Sequence, residues 1–283
     1  MDPWGATSAI MRAVIARLTR ADEAALRALL SADPVGNVFP ASVLEERGLS
    51  SGTAVFYGLR SGGDLRAAVA VVGRARLAVP IGGAPDEQRE LGAAIRGKFR
   101  LAMGKRDLVD ALWASGGDRE PWLHRAHRLY RITAEEMGPW TAPTLRQATL
   151  ADLPTVLRNA AAMQLEEMGR DPLANDPDAF RDRVAARIEA GRTYVLEEEG
   201  EIAFQVSLPS VGWLGGQIEG VYTHPVYRGL GIASQGLGQL CRTQLARVPR
   251  LTLTVDETNR EATALYRKLG FIADQPFRLI RAD

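Results

Sequence analysis

The sequence contains few of the side chains that disulfides and metal sites need. Of its 283 residues one is a cysteine, Cys241, so no disulfide can form within the chain and no cysteine-based zinc site can be assembled. Three histidines are present. His124 and His127 are close in sequence, but no third ligand accompanies them at a suitable spacing. We therefore expect no metal.

A strong charge of one sign and long apolar runs are also missing. The chain has 35 Lys and Arg against 34 Asp and Glu, a formal net charge of +1, so we expect neither a nucleic acid nor a membrane as partner. No apolar run approaches the ~18 residues of a membrane span, and the first residues lack the pattern of a signal peptide. The sequence predicts a cytoplasmic protein; an oligomer is possible, but nothing indicates one.

A short pattern occurs twice, once in each half of the chain. Thr19 and Asp22 follow a short strand-like stretch and precede an apolar helical pattern, and Thr149 and Asp152 do the same. Each aspartate falls in the first turn of its predicted helix, where a carboxylate interacts favourably with the helix dipole. The repetition indicates a tandem duplication, although two unrelated α/β domains with common local patterns would also show it.

A second repeated pattern lies at a similar distance from the start of each half. Residues 53–72 and 192–208 both read as strand, glycine-containing polar turn and strand, which predicts a hairpin. Between the halves, residues 131–144 contain two prolines and a glycine and are predicted to form a linker. This pattern places the domain boundary between residues 138 and 139.

Glycines are concentrated in residues 224–236, HPVYRGLGIASQG, directly after a predicted strand at 216–223 and before a predicted helix at 233–248. Such a strand-to-helix turn can cradle a pyrophosphate, because the first N–H groups of a helix are unpaired and glycine lets a ligand approach them. A simple turn is the alternative. The P-loop signature is absent, and the glycine spacing differs from the dinucleotide fingerprint.

The remainder of the second half alternates between strands and helices. Residues 251–255 read as a strand, and 259–270 as a short helix with Asn259 as N-cap and Gly270 past its end. Residues 271–280 read as one or two further strands. In the helix at 233–248, an apolar face is formed by Leu237, Leu240, Cys241 and Leu245.

These two segments resemble the GNAT superfamily of N-acetyltransferases over about residues 144–283. The R-x-x-G-x-[GA] signature of the acyl-CoA pyrophosphate-binding segment is present as Arg228, Gly231 and Ala233, and NREATALYRKLGF at 259–271 is similar to the later family segment. The resemblance implies an α/β (α+β, GNAT-like) fold in tandem domains, each a central mixed, mostly antiparallel sheet flanked by helices. Residues 1–138 would be a degenerate GNAT-like domain that supports the structure and completes the acceptor side of the site, and 139–283 the N-acetyltransferase domain.

The resemblance also implies an activity and a set of site residues. The protein would transfer an acetyl group from acetyl-CoA to a primary amine of a small molecule or protein by direct attack. Tyr266 would protonate the departing thiolate. The residues implied to contact the cofactor are Val221, Tyr222, Thr223, Arg228, Gly229, Leu230, Gly231, Ile232, Ala233, Ser234 and Asn259. Simpler explanations exist for three of these residues: Tyr266 as a core tyrosine, Asn259 as a helix cap and Arg228 as a surface arginine.

The proton acceptor has to be inferred from position. Glu219 lies on the strand before the cradle and shares a face with Val221 and Thr223 if no bulge intervenes, so we predict it as the general base. His224 titrates in a suitable range but sits in a turn before Pro225. The other reading of Glu219 is a solvent-facing charged residue.

Two further questions stay open in the sequence. A noncatalytic acyl-CoA-binding sensor would need the cradle but neither Tyr266 nor a base. The acceptor is not identified, although five acidic residues in and after the predicted first helix of the second half would suit a cation and would also suit a solvated face: Glu166, Glu167, Asp171, Asp176 and Asp178.

Overall fold

The computed structural model describes residues 13–49, 51–140, 145–174 and 176–283. Both halves run through the same order of elements. The first half contains β1 (Val14–Arg17), α1 (Glu23–Ser31), α2 (Val38–Arg47), β2 (Ala54–Ser61), β3 (Asp64–Val72), β4 (Leu77–Gly82), α3 (Pro85–Ala94), β5 (Leu101–Lys105), α4 (Arg106–Gly116) and β6 (Leu123–Ile132). The second half contains β7 (Arg146–Gln147), α5 (Leu153–Met168), α6 (Pro177–Glu189), β8 (Thr193–Glu198), β9 (Glu201–Gly212), β10 (Gly215–Thr223), α7 (Ile232–Leu245), β11 (Leu251–Asp256), α8 (Arg260–Leu269) and β12 (Ile272–Arg281).

All of these strands form one twelve-stranded sheet in which the halves exchange their last strands. The order is β1-β2-β3-β4-β5-β12-β6-β11-β10-β9-β8-β7. β12, from the second half, therefore lies beside β5 of the first, and β6, from the first half, lies beside β11 of the second. The pairs β4–β5 and β10–β11 are parallel, and the other pairs are antiparallel. The mixed, mostly antiparallel sheet predicted from the sequence is confirmed.

Helices cover both faces of the sheet, because its strands are apolar on both sides where they are buried. In the first half α1 and α2 pack with β2 to β4 around Leu26, Leu30 and Phe56, and α3 and α4 pack on the other face around Leu91 and Leu112. The second half has the same layers. Its larger cluster, between the sheet and helices α7 and α8, includes buried residues of β6, so that strand exchange also joins the two cores.

The repeated Thr-x-Ala-Asp pattern has the same local structure in both places. Thr19 and Thr149 each precede a single 3-10 turn, and the aspartate that ends the turn accepts a hydrogen bond from the threonine N–H, at 2.7 Å in both halves. This reciprocal capping satisfies N–H groups that the start of a helix leaves unpaired. The predicted repetition is thus present at the level of individual hydrogen bonds.

Most of the predicted elements are confirmed, and the linker needs a correction. The hairpins are β2–β3 and β8–β9, and the predicted apolar face of α7 is buried. Arg131 and Ile132, however, belong to β6 rather than to the linker, because both pair with β11 and Ile132 is fully buried. Residues 141–144 of the predicted linker lie outside the described residues. The boundary between 138 and 139 stays a prediction.

The described ranges contain neither a helix that could cross a membrane nor a cluster that could hold a metal ion. None of the helices there combines the length and the apolarity that crossing a membrane requires. The same ranges contain no group of three or more His, Cys, Asp or Glu side chains placed to hold a metal ion. The expected absence of a metal stays a prediction.

Candidate active site

The site is built around an opening between β10 and β11. These parallel strands pair only at Gly216 with Leu251 and at Gln217 with Thr252, near their starts. Beyond that point the two strands separate, and no backbone pairs join residues 218–223 of β10 to residues 253–256 of β11. We call this opening the β10–β11 gap. A splayed parallel pair exposes backbone N–H and C=O groups that an extended ligand can use.

A bulge in β10 changes which side chains face the gap. Glu219 lies opposite Ser207, whereas Thr223 lies opposite Phe204, with register shifts on both sides of Glu219. Ser207 and Phe204 are three apart on a regular stretch of β9 and point to opposite faces. The expectation that Glu219 shares a face with Val221 and Thr223 was conditional on there being no bulge, and it is wrong. Gly220 (φ +64°) supplies the left-handed conformation that the bulge requires.

The glycine-rich turn leaves a row of backbone donors free. Gly229 and Gly231 both have positive φ, +81° and +82°, and Gly231 is the N-cap of α7. Among the described residues, the six N–H groups from Gly229 to Ser234 have no acceptor. They include the start of a helix, where the dipole favours negative charge, so the turn has the geometry of an anion cradle.

Helix α7 holds the turn in place through close packing. A side chain at Gly236 would meet the ring of Phe204 at 2.6 Å, and one at Gly238 would meet Trp140 at 2.7 Å. Both glycines therefore let the helix lie against its neighbours, and the helix runs without interruption from Ile232 to Leu245.

Arg228 links the turn to helix α5 rather than lying over the free N–H groups. Its Nε donates to the Thr223 carbonyl at 3.0 Å, and its Nη2 donates to both carboxylate oxygens of Glu166 at 2.9 and 3.0 Å. The guanidinium also lies 5.4 Å from the centre of the Tyr222 ring. The last turn of α5 is thereby fixed at the end of β10.

Tyr266 lies on α8 at the other side of the gap. Its ring is buried against Tyr130 and Phe271, at centroid distances of 6.2 and 5.8 Å, and the residue is 6% exposed. Its hydroxyl forms no hydrogen bond within the described ranges. Burial, and then the charge of Glu167, raise the pKa of Tyr266. It is therefore a protonated hydroxyl at neutral pH, available as a donor.

Carboxylates from α5, β10 and β11 lie close enough to one another to interact electrostatically. Glu219 accepts hydrogen bonds from Arg187 and Gln217, each at 3.2 Å. Asp256, at the end of β11, accepts from Thr258 and is also paired with Arg125 at 3.3 Å.

Glu167, in the last turn of α5, has neither a hydrogen bond nor an ion pair in the described part of the chain. The residue as a whole is exposed, but the protein atoms around its carboxyl group partly shield that group from water. This burial, and then the charges of Glu166, Asp256 and Glu219, raise the pKa of Glu167 to about 7.

The other predicted residues have local structural roles. Asn259 is the N-cap of α8, and its Oδ1 accepts from the Ala262 N–H at 3.0 Å, which leaves its amide N–H₂ free. In the acidic segment, Asp176 caps α6 and Asp171 accepts from the Leu173 N–H. The structure therefore separates these aspartates from Glu166 and Glu167, which lie at the end of β10.

Reasoning from the sequence did not single out Glu167 among the five acidic residues of this region. One signal was available: two adjacent glutamates in the last turn of a helix, where the dipole disfavours carboxylates. The decisive facts, the bulge and the contact between Arg228 and Glu166, depend on tertiary structure.

Comparisons with known proteins bear on the family and the fold of the chain. Residues 159–271 match the sequence model of the Acetyltransferase (GNAT) family. A comparison with curated proteins gives no match.

Among solved structures, a Drosophila protein is similar with a TM-score of 0.66 and 14% identity, covering 96% of this chain and 99% of that one. A GNAT-family acetyltransferase from Colwellia psychrerythraea gives a TM-score of 0.56 at 14% identity, over 95% and 100% of the two chains. A tandem GNAT protein from the clavulanic acid biosynthesis pathway gives 0.54 at 14%, over 96% and 98%. At this identity the structures establish the fold alone. The second half of the chain, over residues 159–271, carries a domain of the GNAT acetyltransferase family.

Proposed function

We propose that the second half transfers an acetyl group from acetyl-CoA to a primary amine of a small molecule or protein. The family match supports acyl-CoA-dependent acetyl transfer in general. The proposal rests above all on the six free N–H groups at Gly229–Ser234, which end the β10–β11 gap and can bind a pyrophosphate. The pantetheine arm and thioester would run along the part of β10 that does not pair with β11, which contains Val221, Tyr222 and Thr223.

The reaction needs a proton donor and a proton acceptor. The amine attacks the thioester carbonyl, the carbon–nitrogen bond forms, and the carbon–sulfur bond breaks. We assign Tyr266 as the donor to the departing thiolate, because its hydroxyl is protonated and has no acceptor among the described residues. The sequence-based assignment of Glu219 as the proton acceptor stays a prediction, and Asn259 is proposed to contact the cofactor through its free amide.

We also propose that the first half does not bind acetyl-CoA. At the start of α3, which corresponds to α7, the Ala84 N–H donates to the Glu87 carboxylate at 2.8 Å. An internal carboxylate thus occupies the place that a phosphate would need. A cytoplasmic location and the absence of nucleic-acid and membrane partners stay predictions.

Calorimetric titration with acetyl-CoA tests the proposal, with two variants of Gly231 as a matched pair. Both Asp and Asn tolerate the left-handed conformation at this position, and no atom lies within 4 Å of the added Cβ, so the variants differ chiefly in charge. We expect wild type to bind one equivalent, Gly231→Asp to bind at least about 100-fold more weakly, and Gly231→Asn to lose about tenfold or less.

Three other results would contradict parts of this proposal. Equal binding by wild type and Gly231→Asp would show that the turn is not the cradle. Two bound equivalents would show that the first half also binds. No binding by wild type would remove acetyl transfer as the function.

A further inference from the structure

Helix α5 brings its last turn to the rim of the β10–β11 gap through a fixed set of contacts. Nη2 of Arg228 donates to both carboxylate oxygens of Glu166, and Nε donates to the Thr223 carbonyl, so this arginine joins the turn to the end of β10. Such charge-assisted hydrogen bonds are stronger than hydrogen bonds between neutral groups. Glu167 follows Glu166 directly in the chain, so the same contacts place its backbone beside the end of β10.

Glu167 differs from the carboxylates around it in having no partner in the described ranges. Glu166 is held by Arg228, Glu219 by Arg187 and Gln217, and Asp256 by Thr258 and Arg125. Both carboxylate oxygens of Glu167 are therefore available to accept a proton from a substrate.

The surroundings of Glu167 are negative on every side that packs against it. Glu166 faces it from its own helix, Glu219 from β10 and Asp256 from β11, and the neutral hydroxyl of Tyr266 faces it from α8. Those three carboxylates are paired with Arg228, Arg187 and Arg125, and His127 lies beside Asp256, with a pKa lowered by burial. The C-terminal end of α5 adds a further negative potential. These groups give Glu167 a pKa of about 7, which suits a base working near neutral pH.

We propose that Glu167 is the general base of this site, facing Tyr266 across the β10–β11 gap; the inference rests on the acetyl transfer proposed above. The acceptor ammonium gives one proton to the Glu167 carboxylate, and the neutral amine then attacks the thioester carbon. The thiolate leaves with the proton of Tyr266, and the second proton lost by the nitrogen restores the Tyr266 hydroxyl. One proton is released to solvent overall. Glu219 acts as a neighbouring charge that strengthens the affinity of Glu167 for protons.

The pH dependence of turnover distinguishes Glu167 from Glu219. The probes are n-butylamine, 1,4-diaminobutane and glucosamine, and released CoA is measured by a thiol reagent between pH 5.5 and 9. We expect Glu167→Gln to lower kcat at pH 8 by about 10²- to 10⁴-fold, to leave the Kd of acetyl-CoA within about twofold, and to lose the acid limb of the profile. In Glu219→Gln the limb remains and moves to lower pH, because one like charge is removed. Glu90→Gln, an exposed carboxylate of α3, is the matched control with an unchanged profile.

A second measurement needs no acceptor. Carboxyl NMR titration of protein labelled with ¹³C-glutamate identifies the Glu167 signal by its loss in Glu167→Gln. We expect it to titrate near pH 7 in wild type and at lower pH in Glu219→Gln. If none of the three amines is acetylated, this titration decides alone, and a Glu167 signal that titrates near pH 4.3, the ordinary glutamate value, overturns the proposal.

The outcomes separate this inference from the proposed function. If wild type fails to bind acetyl-CoA, the proposed function is wrong whatever Glu167 does. If wild type binds and turns over, and Glu167→Gln keeps both its rate and its acid limb, only the assignment of the base is wrong. Loss of the limb in Glu219→Gln instead would return the role to Glu219.

Discussion

The two halves of the chain share one topology, yet only one of them has an open site. In both halves a parallel pair of strands meets at two residue pairs and then diverges. In the first half β3 and β4 pair in regular register from Ala67 with Gly82 to Val72 with Leu77. In the second half β10 is bulged around Glu219. Counting from the first parallel pair, Pro80 occupies the place of Glu219, so the first half lacks both the bulge and the carboxylate.

The turns and helices that follow show the same contrast. The turn before α3 is closed by the Glu87 carboxylate, whereas that before α7 has six free N–H groups. Seven residues past the N-caps Lys105 and Asn259, the first half has fully buried Leu112 and the second has Tyr266. Helix α1 has 9 residues and α5 has 16, so the first half has no helical position equivalent to Glu167. A few local changes thus distinguish the half with the proposed cofactor site from its counterpart on a common scaffold.

Cutting the chain at the predicted boundary should produce the largest effect. β6 pairs with β11 from Leu251–Ile132 to Asp256–His127 and pairs with β12 on its other side. A fragment of residues 139–283 therefore loses the strand between two of its own, and exposes apolar surface that Tyr130 and Ile132 cover. We expect this fragment alone to be unfolded or aggregated by circular dichroism and gel filtration, and co-expression with residues 1–138 to restore one folded complex.

A folded, monomeric fragment that binds acetyl-CoA would mean that the second half is independent of the first. The comparison between the halves would then concern two separate domains rather than two parts of one sheet.

Removing the Tyr266 hydroxyl should have the next largest effect. We expect it to lower turnover without changing the affinity for acetyl-CoA. Tyr266→Phe keeps the buried ring and makes it resemble its apolar counterpart Leu112. We expect kcat to fall by about 10²-fold or more while the calorimetric Kd of acetyl-CoA stays within about twofold. Tyr130→Phe, which removes a hydroxyl from the neighbouring buried ring, is the control and should keep its rate.

Unchanged turnover in Tyr266→Phe would contradict its assignment as the acid. If the protein binds acetyl-CoA but never acetylates an amine, with or without this change, a noncatalytic sensor becomes the better explanation.

Much of the fold was predictable because its signals are local. The paired Thr-x-Ala-Asp patterns, the hairpins and the Arg228–Gly231 turn depend on neighbours in sequence, and the structure contains all of them. The exchange of β6 and β12 was not predictable, since strand pairing between distant segments leaves no periodicity of its own in either segment. For the same reason, sequence reasoning wrongly placed Arg131 and Ile132, the end of β6, in the linker.

The candidate site was predictable in its backbone and less so in its side chains. Glycine positions specify the turn, because positive φ has a sequence signature. The position of Glu219 depends on a bulge, and that of Glu167 on an ion pair between α5 and Arg228. Both are tertiary features, so sequence reasoning could find the acidic residues without knowing which of them meet at the gap.

The smallest expected effect is a difference in stability between variants of the two capping aspartates. These residues lie in the capping turns, where the two halves are most alike. Asp152 accepts two hydrogen bonds from Arg146, at 2.8 and 2.9 Å, besides those from Thr149, and these lower its pKa below the usual range. The pKa of Asp22 is also lowered, first by the Thr19 N–H and then by Arg60. We expect Asp152→Asn to reduce the free energy of unfolding by about 2 kcal/mol at pH 7 and Asp22→Asn by about 1 kcal/mol.

The pH dependence of that pair follows from the sign of the shifts. A carboxyl group whose pKa is lowered by folding stabilises the protein above its unfolded pKa of about 3.9, and this contribution is lost as the pH falls toward the folded value. Urea unfolding at pH 7 and at pH 3 should therefore show each variant approaching wild type in acid, with Asp152→Asn converging at the lower pH. Equal costs for the two variants at pH 7 would mean that the additional arginine contact in the second half adds nothing to stability, and that the two capping turns are equivalent in energy as well as in geometry.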